Sequence, residues 1–223
     1  MPAVKIYLLS LHLQIVNIDP NYRKWLPKMR LVLASTSKYR KILLEKLGLT
    51  FISASPNVDE RRLLHENARD RATRLSTAKA LAVAPGFQNS LIVGSDQVAE
   101  CAGEQIDKPG NYENCVKQLR FIRGKAVTFY TGISLYNTKT HNLQSACEVY
   151  EVQLRAYSEL ELQNYIRIDQ PFDCAGSFKA ESLGIALFAH LRGDDPNTLI
   201  GLPLIRLSRF LENEGTHILS PSI

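Results

Sequence analysis

Asp96 closes the run Leu91-Ile-Val-Gly-Ser-Asp96, an apolar stretch of buried-strand character that ends in two small residues and a carboxylate. In open α/β sheets ligands gather at the carboxyl ends of strands, so an acid held there on rigid backbone suits proton abstraction or metal ligation; out of context the same residue is an Asx turn. A second candidate is Ser35-Thr36-Ser37 with Arg40 one helical turn beyond. A hydroxyl-rich strand-to-helix turn is an anion site, because free backbone N–H groups and the helix dipole favour phosphate and a guanidinium adds a bidentate contact. Ordinary capped helices with a surface Arg share that pattern. Asp59 and Glu60 follow Pro56 on an irregular loop. Paired acids on a loop are solvated unless the loop folds over the sheet. In that case Glu60 and Asp96 together suit Mg²⁺ or Mn²⁺, hard cations that share oxygen ligands with substrate phosphates. An ordinary aspartate, with a pKa of ~3.9, is a poor base for bulk water, whereas cation-bound water is easier to deprotonate. Lys79 falls inside the apolar stripe of Ala68, Ala72, Leu75, Ala80 and Val83. A lysine on an inner helix face either snorkels to solvent or finds an anion.

Hydrophobic periodicity and punctuation supply the elements that hold these residues. Leu31 to Ala34 reads as a strand, and Ser35 to Ser37 offer N-caps for a helix with apolar stripe Leu43, Leu44 and Leu47 and its stop at Gly48. Thr50 to Ala54 is a short strand, and Asn67 to Val83 a helix closed by Ala84-Pro-Gly86. The strand ending at Asp96 comes next. Tyr112 to Ile122 reads as a helix; Ala126 to Tyr136 and Ala146 to Leu154, joined through Asn137-Thr-Lys-Thr-His-Asn142, predict a β-hairpin. Ser158 to Ile168 opens with a capping box, and Leu202 to Glu214 is the last helix, with Gly215 as its stop. Strands and helices alternate without repeats or a long linker, which predicts an α/β architecture with a mixed twisted sheet flanked by helices.

With 223 residues, 45% hydrophobic and 22% charged, the chain can bury one substantial core. Its net charge of +5 suggests anionic partners. Lys and Arg are interspersed with acids and no nucleic-acid-binding module is recognisable, so polymer binding is the weaker expectation. Cys101, Cys115, Cys147 and Cys174 lie far apart and form no C-x-x-C, which argues against a zinc site and suits a reducing cytoplasm. Cys174 reads as a small core residue rather than a nucleophile. Residues 1–28 differ in texture. Ile6 to Val16 is apolar yet interrupted by Ser10, His12 and Gln14, too short for a membrane span and without a small-residue cleavage pattern. They read as an N-terminal extension before one catalytic domain over 29–223, with Met29 as an expected natural start.

One ordered set of motifs goes further. Ala34-Ser-Thr-Ser37 with Arg40, Pro56-Asn-Val-Asp-Glu60, Lys79, Gly94-Ser-Asp-Gln-Val98, Lys108-Pro109, Thr128-Phe-Tyr-Thr-Gly132, Cys174-Ala-Gly-Ser-Phe-Lys179 and Asp195-Pro-Asn-Thr-Leu-Ile-Gly-Leu-Pro203 together resemble the Maf family of nucleoside triphosphate pyrophosphatases. Tyr39, Gln97 and Glu181, at positions that vary between subgroups, are similar to the bacterial subgroup that hydrolyses 7-methyl-GTP. Lys38 stands where the family usually has Pro, and Asp107 where it usually has Gly, on the loop carrying Lys108. The resemblance implies a Maf/inosine triphosphatase-like fold, cleavage between the α and β phosphates with a divalent cation, and a homodimer. It implies triphosphate contacts from Ser35, Arg40, Lys79 and Lys108, with Asp96 as catalytic acid–base residue and, with Glu60, metal ligand. For the base, a carboxylate at Glu181 accepts both guanine N1–H and the 2-amino group. N7-methylation makes the base cationic, so Tyr39 could add a cation–π contact of ~0.5–2 kcal/mol. Alternatives open at this point are a non-catalytic nucleotide-binding regulator of cell division, a Maf-type pyrophosphatase reading another base such as that of dTTP or UTP, and a basic RNA-binding protein.

Overall fold

A computed structural model describes residues 29–219. The expected N-terminal extension, residues 1–28, lies outside them. Parallel pairing joins β1 (Arg30–Ala34) to β2 (Phe51–Ala54) on one side and to β3 (Ser90–Cys101) on the other. Beyond β3 the pairing turns antiparallel, through β5 (Ala126–Asn137), β6 (Leu143–Leu154) and β7 (Phe188–Arg192), while the short β4 (Glu104–Ile106) pairs with the distal end of β3. The result is the mixed α/β sheet that the alternation of elements predicts.

Helices cover both faces, and strand alternation decides which residues meet which helix. On one face Leu31, Leu33, Leu91, Val93, Ile133 and Leu135 pack against α1 (Lys38–Glu45) and α6 (Leu204–Asn213). Further along, Val127 and Phe129 pack with α3 (Tyr112–Ile122) and α4 (Glu159–Asp169). On the other face Val32, Ala34 and Ile92 meet Ala80 and Val83 of α2 (Ala68–Val83). That approach is unusually close. A Cβ placed on Gly94 would stand 2.0 Å from the Ser76 carbonyl oxygen, and one on Gly132 2.0 Å from that of Ala72. Two glycines therefore let backbone lie on backbone, and hydroxyl contacts from Ser134 to Ser76 (2.9 Å) and Thr77 (3.0 Å) fix the register.

Three expectations need correction. Asp96 does not end its strand: β3 runs on to Cys101, because β5 pairs with it through Glu100. The sheet position is nonetheless a boundary. Parallel pairing with β1 stops at Leu33–Val93 and pairing with β4 begins only at Ala99, which leaves one edge of β3 open between them. The hairpin strands are longer than predicted, with β6 starting at Leu143 rather than Ala146. The strands β4 and β7 and the five-residue α5 (Pro196–Ile200) were not anticipated, and the last helix starts at Leu204, not Leu202. The cap at the start of α6 comes from a distance: Pro203 offers no side-chain cap, and the buried Asp195 carboxylate accepts the Ile205 N–H at 2.8 Å while also capping α5 through the Asn197 N–H at 2.8 Å.

Candidate active site

Alternation along β3 sends neighbouring side chains to opposite faces of the sheet, and the open strand edge lets both reach one cleft. Asp96 faces α2 and Gln97 faces α5. The cleft holds about 650 Å³, within the range of small-molecule sites. Ser35, Tyr39, Arg40, Glu60, Lys79, Asp96, Gln97, Lys108 and Glu181, the nine residues expected from the sequence to carry a site role, line it.

On the α2 face the charges interlock. Lys79 is 6% exposed and Asp96 8%, so the lysine does not snorkel. Its Nζ donates to Asp96 Oδ1 at 2.6 Å and pairs with Glu60 Oε1 at 2.6 Å. The two carboxylates thus converge on one point from different elements. Burial pushes the Glu60 carboxyl up, but the hydrogen bond from Lys79, with Lys108 and Arg40 nearby, holds it below the ordinary value. Asp59, its sequence neighbour, turns outward to Arg61 (2.6 Å). The loop that carries Glu60 is pinned at two places: Arg71 Nη2 donates to the Glu60 carbonyl at 3.1 Å, and Arg74 donates twice to the buried Glu66 carboxylate.

Arg40 enters from α1. Its Nε donates to the Gly201 carbonyl at 2.9 Å, and desolvation lowers its pKa while Asp96 and Glu60 push it back up. Guanidinium stays charged through such a shift. The Gly201 carbonyl also accepts from Ser95 Oγ at 2.9 Å, and Gly201 itself sits at φ 117°, a conformation suited to glycine. Ser37 caps α1 by accepting the Arg40 N–H, and Ser35 Oγ accepts the Ser37 N–H at 3.1 Å, which leaves the Ser35 hydroxyl hydrogen for another acceptor. Lys108 lines the same wall, while Asp107 points toward Arg71 at 4.0 Å.

The opposite end has different chemistry. Gln97 Nε2 donates to Thr131 Oγ1 (3.0 Å) and to the Thr198 and Leu199 carbonyls (2.9 and 3.1 Å), so its amide nitrogen is committed and its oxygen alone can receive a ligand donor. Tyr39 donates its hydroxyl to Asp173 at 3.2 Å; burial, then Cys174 and Asp173, push its pKa up, so it stays a phenol. Glu181 shares this end with Phe129 and Phe178. Lys179, the sequence neighbour that could have neutralised Glu181, instead donates to the Asp169 carbonyl. Burial pushes the Cys174 thiol up to about 12, which excludes a resting thiolate nucleophile.

Sequence reasoning missed two cleft residues. Arg71 lies two turns before Lys79 on the flank of the same helical stripe, a spacing that carries the signal. Asp173 immediately precedes the Cys174 motif, and only the fold brings it to Tyr39. Among the described residues no group of three or more His, Cys, Asp or Glu converges as a protein-only metal cage. The donor set is instead two hard carboxylates, Asp96 and Glu60, which fits a cation held by one or two carboxylates and completed by substrate phosphates.

The model of the family described as "Maf-like protein" matches residues 30–214, from β1 through the end of α6. This chain belongs to the Maf family. Curated relatives agree over nearly their whole length. A 7-methyl-GTP pyrophosphatase of Colwellia psychrerythraea is 47% identical over 190 residues, covering 85% of this chain and 95% of the relative. Another protein of that name, from Idiomarina loihiensis, is 45% identical over 192 residues, 85% of this chain and 97% of the relative. Among solved structures, the Staphylococcus aureus Ham1 protein aligns with a TM-score of 0.48 at 16% identity, covering 83% of this chain and 99% of that one. All nine sequence-derived residues of this Maf protein fall within the family match.

Proposed function

We propose that this Maf protein is a nucleoside triphosphate pyrophosphatase that hydrolyses 7-methyl-GTP to the nucleoside monophosphate and pyrophosphate. The observation that carries the reading is a single cleft with two chemically distinct ends: Lys79, Arg40, Asp96 and Glu60 at one, and Tyr39, Gln97 and Glu181 at the other. A nucleotide is the ligand with that polarity. Glu181 accepts guanine N1–H and the 2-amino group, the Gln97 oxygen accepts a further donor, and the Tyr39 ring stacks on the methylated, cationic base. Arg40, Lys79, Lys108 and the Ser35 hydroxyl neutralise and orient the phosphates for in-line attack by water on the α-phosphorus. Asp96 holds the proton acceptor position, and Lys79, now paired with it, is the residue whose ammonium must turn from carboxylate to phosphate as substrate enters.

Asp96 and Glu60 are the residues that would hold Mg²⁺ or Mn²⁺, which when bound supplies charge neutralisation and a more acidic water. The names of the two curated relatives support both the reaction and the base. A homodimer and a cytoplasmic setting complete the proposal. No helix among the described residues is long and apolar enough to cross a membrane. The test is pyrophosphate release over a panel of GTP, 7-methyl-GTP, dTTP and UTP, with Mg²⁺ and with chelator. The expected outcome is Mg²⁺-dependent release that favours 7-methyl-GTP; pyrophosphate release from none of them rejects the hydrolase, and a pyrimidine preference rejects the base assignment.

A further inference from the structure

An ion pair at the mouth of the cleft has no part in the chemistry above. Lys38 Nζ stands 4.8 Å from the centroid of the Tyr39 ring and 3.5 Å from Asp173 Oδ2. Asp173 in turn accepts the Tyr39 hydroxyl at 3.2 Å and the Cys174 thiol at 3.4 Å. The lysine and aspartate side chains are 67% and 51% exposed, so the pair adds little to stability. Its placement is more telling than its strength. A ring that is to stack on a cationic base already has a cation against it, supplied by the residue that precedes it in the chain. Two cations competing for the same ring quadrupole disfavour each other. The neighbouring Asp173 carboxylate offsets the lysine, so the net charge beside the ring is near zero and Glu181 keeps its influence over the base.

We propose that Lys38 and Asp173 set how strongly this site prefers a cationic purine to a neutral one, Lys38 by opposing the cation at the Tyr39 ring and Asp173 by compensating Lys38. The inference rests on the reading of Tyr39 as the stacking residue. It assigns specificity to two cleft residues outside the phosphate-binding and proton-accepting sets proposed above. The signature is charge compensation. Removing the lysine leaves an unbalanced carboxylate beside the base and favours the cation; removing the aspartate charge leaves an unbalanced ammonium and disfavours it.

The experiment compares kcat/KM for 7-methyl-GTP and for GTP, two substrates that differ at the base by one methyl group and one charge, in the wild type, Lys38→Met, Asp173→Asn and the double variant. The expected result is a ratio raised about 2–5-fold by Lys38→Met, lowered by a similar factor by Asp173→Asn, and returned near the wild-type value in the double variant. GTP turnover in the same variants reports any structural damage, which moves both substrates together. An unchanged ratio in both single variants overturns the proposal, as does a shift of the same sign in both. Dissociation constants for the two nucleotides, measured by calorimetry in an Asp96→Asn background, give the same ratio without turnover. A wild type that binds both nucleotides yet releases no pyrophosphate ends the hydrolase reading and leaves the charge effect to be judged on binding alone; a wild type that binds neither overturns both.

Discussion

Lys79 has two counter-ions, and that decides how its partners respond to substitution. Asp96→Asn removes one carboxylate but leaves Glu60 at 2.6 Å, so the buried ammonium is not stranded and the fold should hold. Turnover should fall by ~10²–10⁴, the usual worth of a general base, and pyrophosphate release by a variant with an unchanged thermal midpoint measures it. Near-normal turnover removes Asp96 from the chemistry. Glu181→Gln should act differently, because it puts an NH₂ group against a base donor at a cost of ~1–3 kcal/mol. The kcat/KM for 7-methyl-GTP should drop while pyrimidine triphosphates lose little; equal loss on all nucleotides makes Glu181 a structural residue. Asp96 and Lys79 were legible in sequence because each stands out locally, an acid after an apolar run and a lysine within an apolar stripe, whereas Glu60, one of two acids on a loop, stood out mainly through the motif Pro56–Glu60. Asp173 does neither. An acid in a polar loop is unremarkable until the fold sets it beside Tyr39, which lies 134 positions away in the chain.

The close seating of α2 on the sheet is what delivers Lys79 to Asp96. Gly94→Ala would put a methyl group 2.0 Å from the Ser76 carbonyl and 2.8 Å from the Ala80 nitrogen, both backbone atoms that cannot swing aside. The helix must shift, at a cost of ~1–3 kcal/mol or more, and turnover should fall with it; denaturant midpoints and pyrophosphate release check both effects. Gly86→Ala, with no atom within 4 Å of the added methyl, is the neutral control. The loop carrying Glu60 has its own dependence. Hydrogen bonds from Arg74 bring Glu66 down from 4.5 to about 2. A carboxyl whose pKa is depressed on folding contributes stability that is full above its unfolded value and is lost as pH falls toward the folded one. Stability of the wild type should therefore decline between about pH 5 and pH 2 more steeply than that of Glu66→Gln, as urea midpoints across that range would show. Elements were read well where periodicity ran long, as in α2 and α3, and the central hairpin was found though its second strand was cut short. The continuation of β3 was hidden because its partner β5 is distant in sequence, and α5 is too short to carry a period. β7 is an edge strand whose mostly exposed residues show no buried alternation.

Every residue of the proposed site lies between β1 and α6; on that proposed reading, a chain beginning at Met29 should keep the thermal midpoint and the kcat/KM of the full chain. A loss of either would assign the extension a part in the domain. Within that body the Gly201 carbonyl joins two parties. It receives Arg40 Nε from the phosphate end and Ser95 Oγ from the strand, and Gly201 closes the helix whose Thr198 and Leu199 carbonyls hold the Gln97 amide. The Arg40 guanidinium and the Gln97 amide are thus mounted on one frame, like the jaws of a caliper set at a fixed opening. On the proposed reading, such a site gauges span as well as composition. A base seated out of line cannot be forgiven by sliding the phosphates, so the wrong nucleotide is held with its α-phosphorus out of register and misreading is penalised in rate rather than in affinity alone.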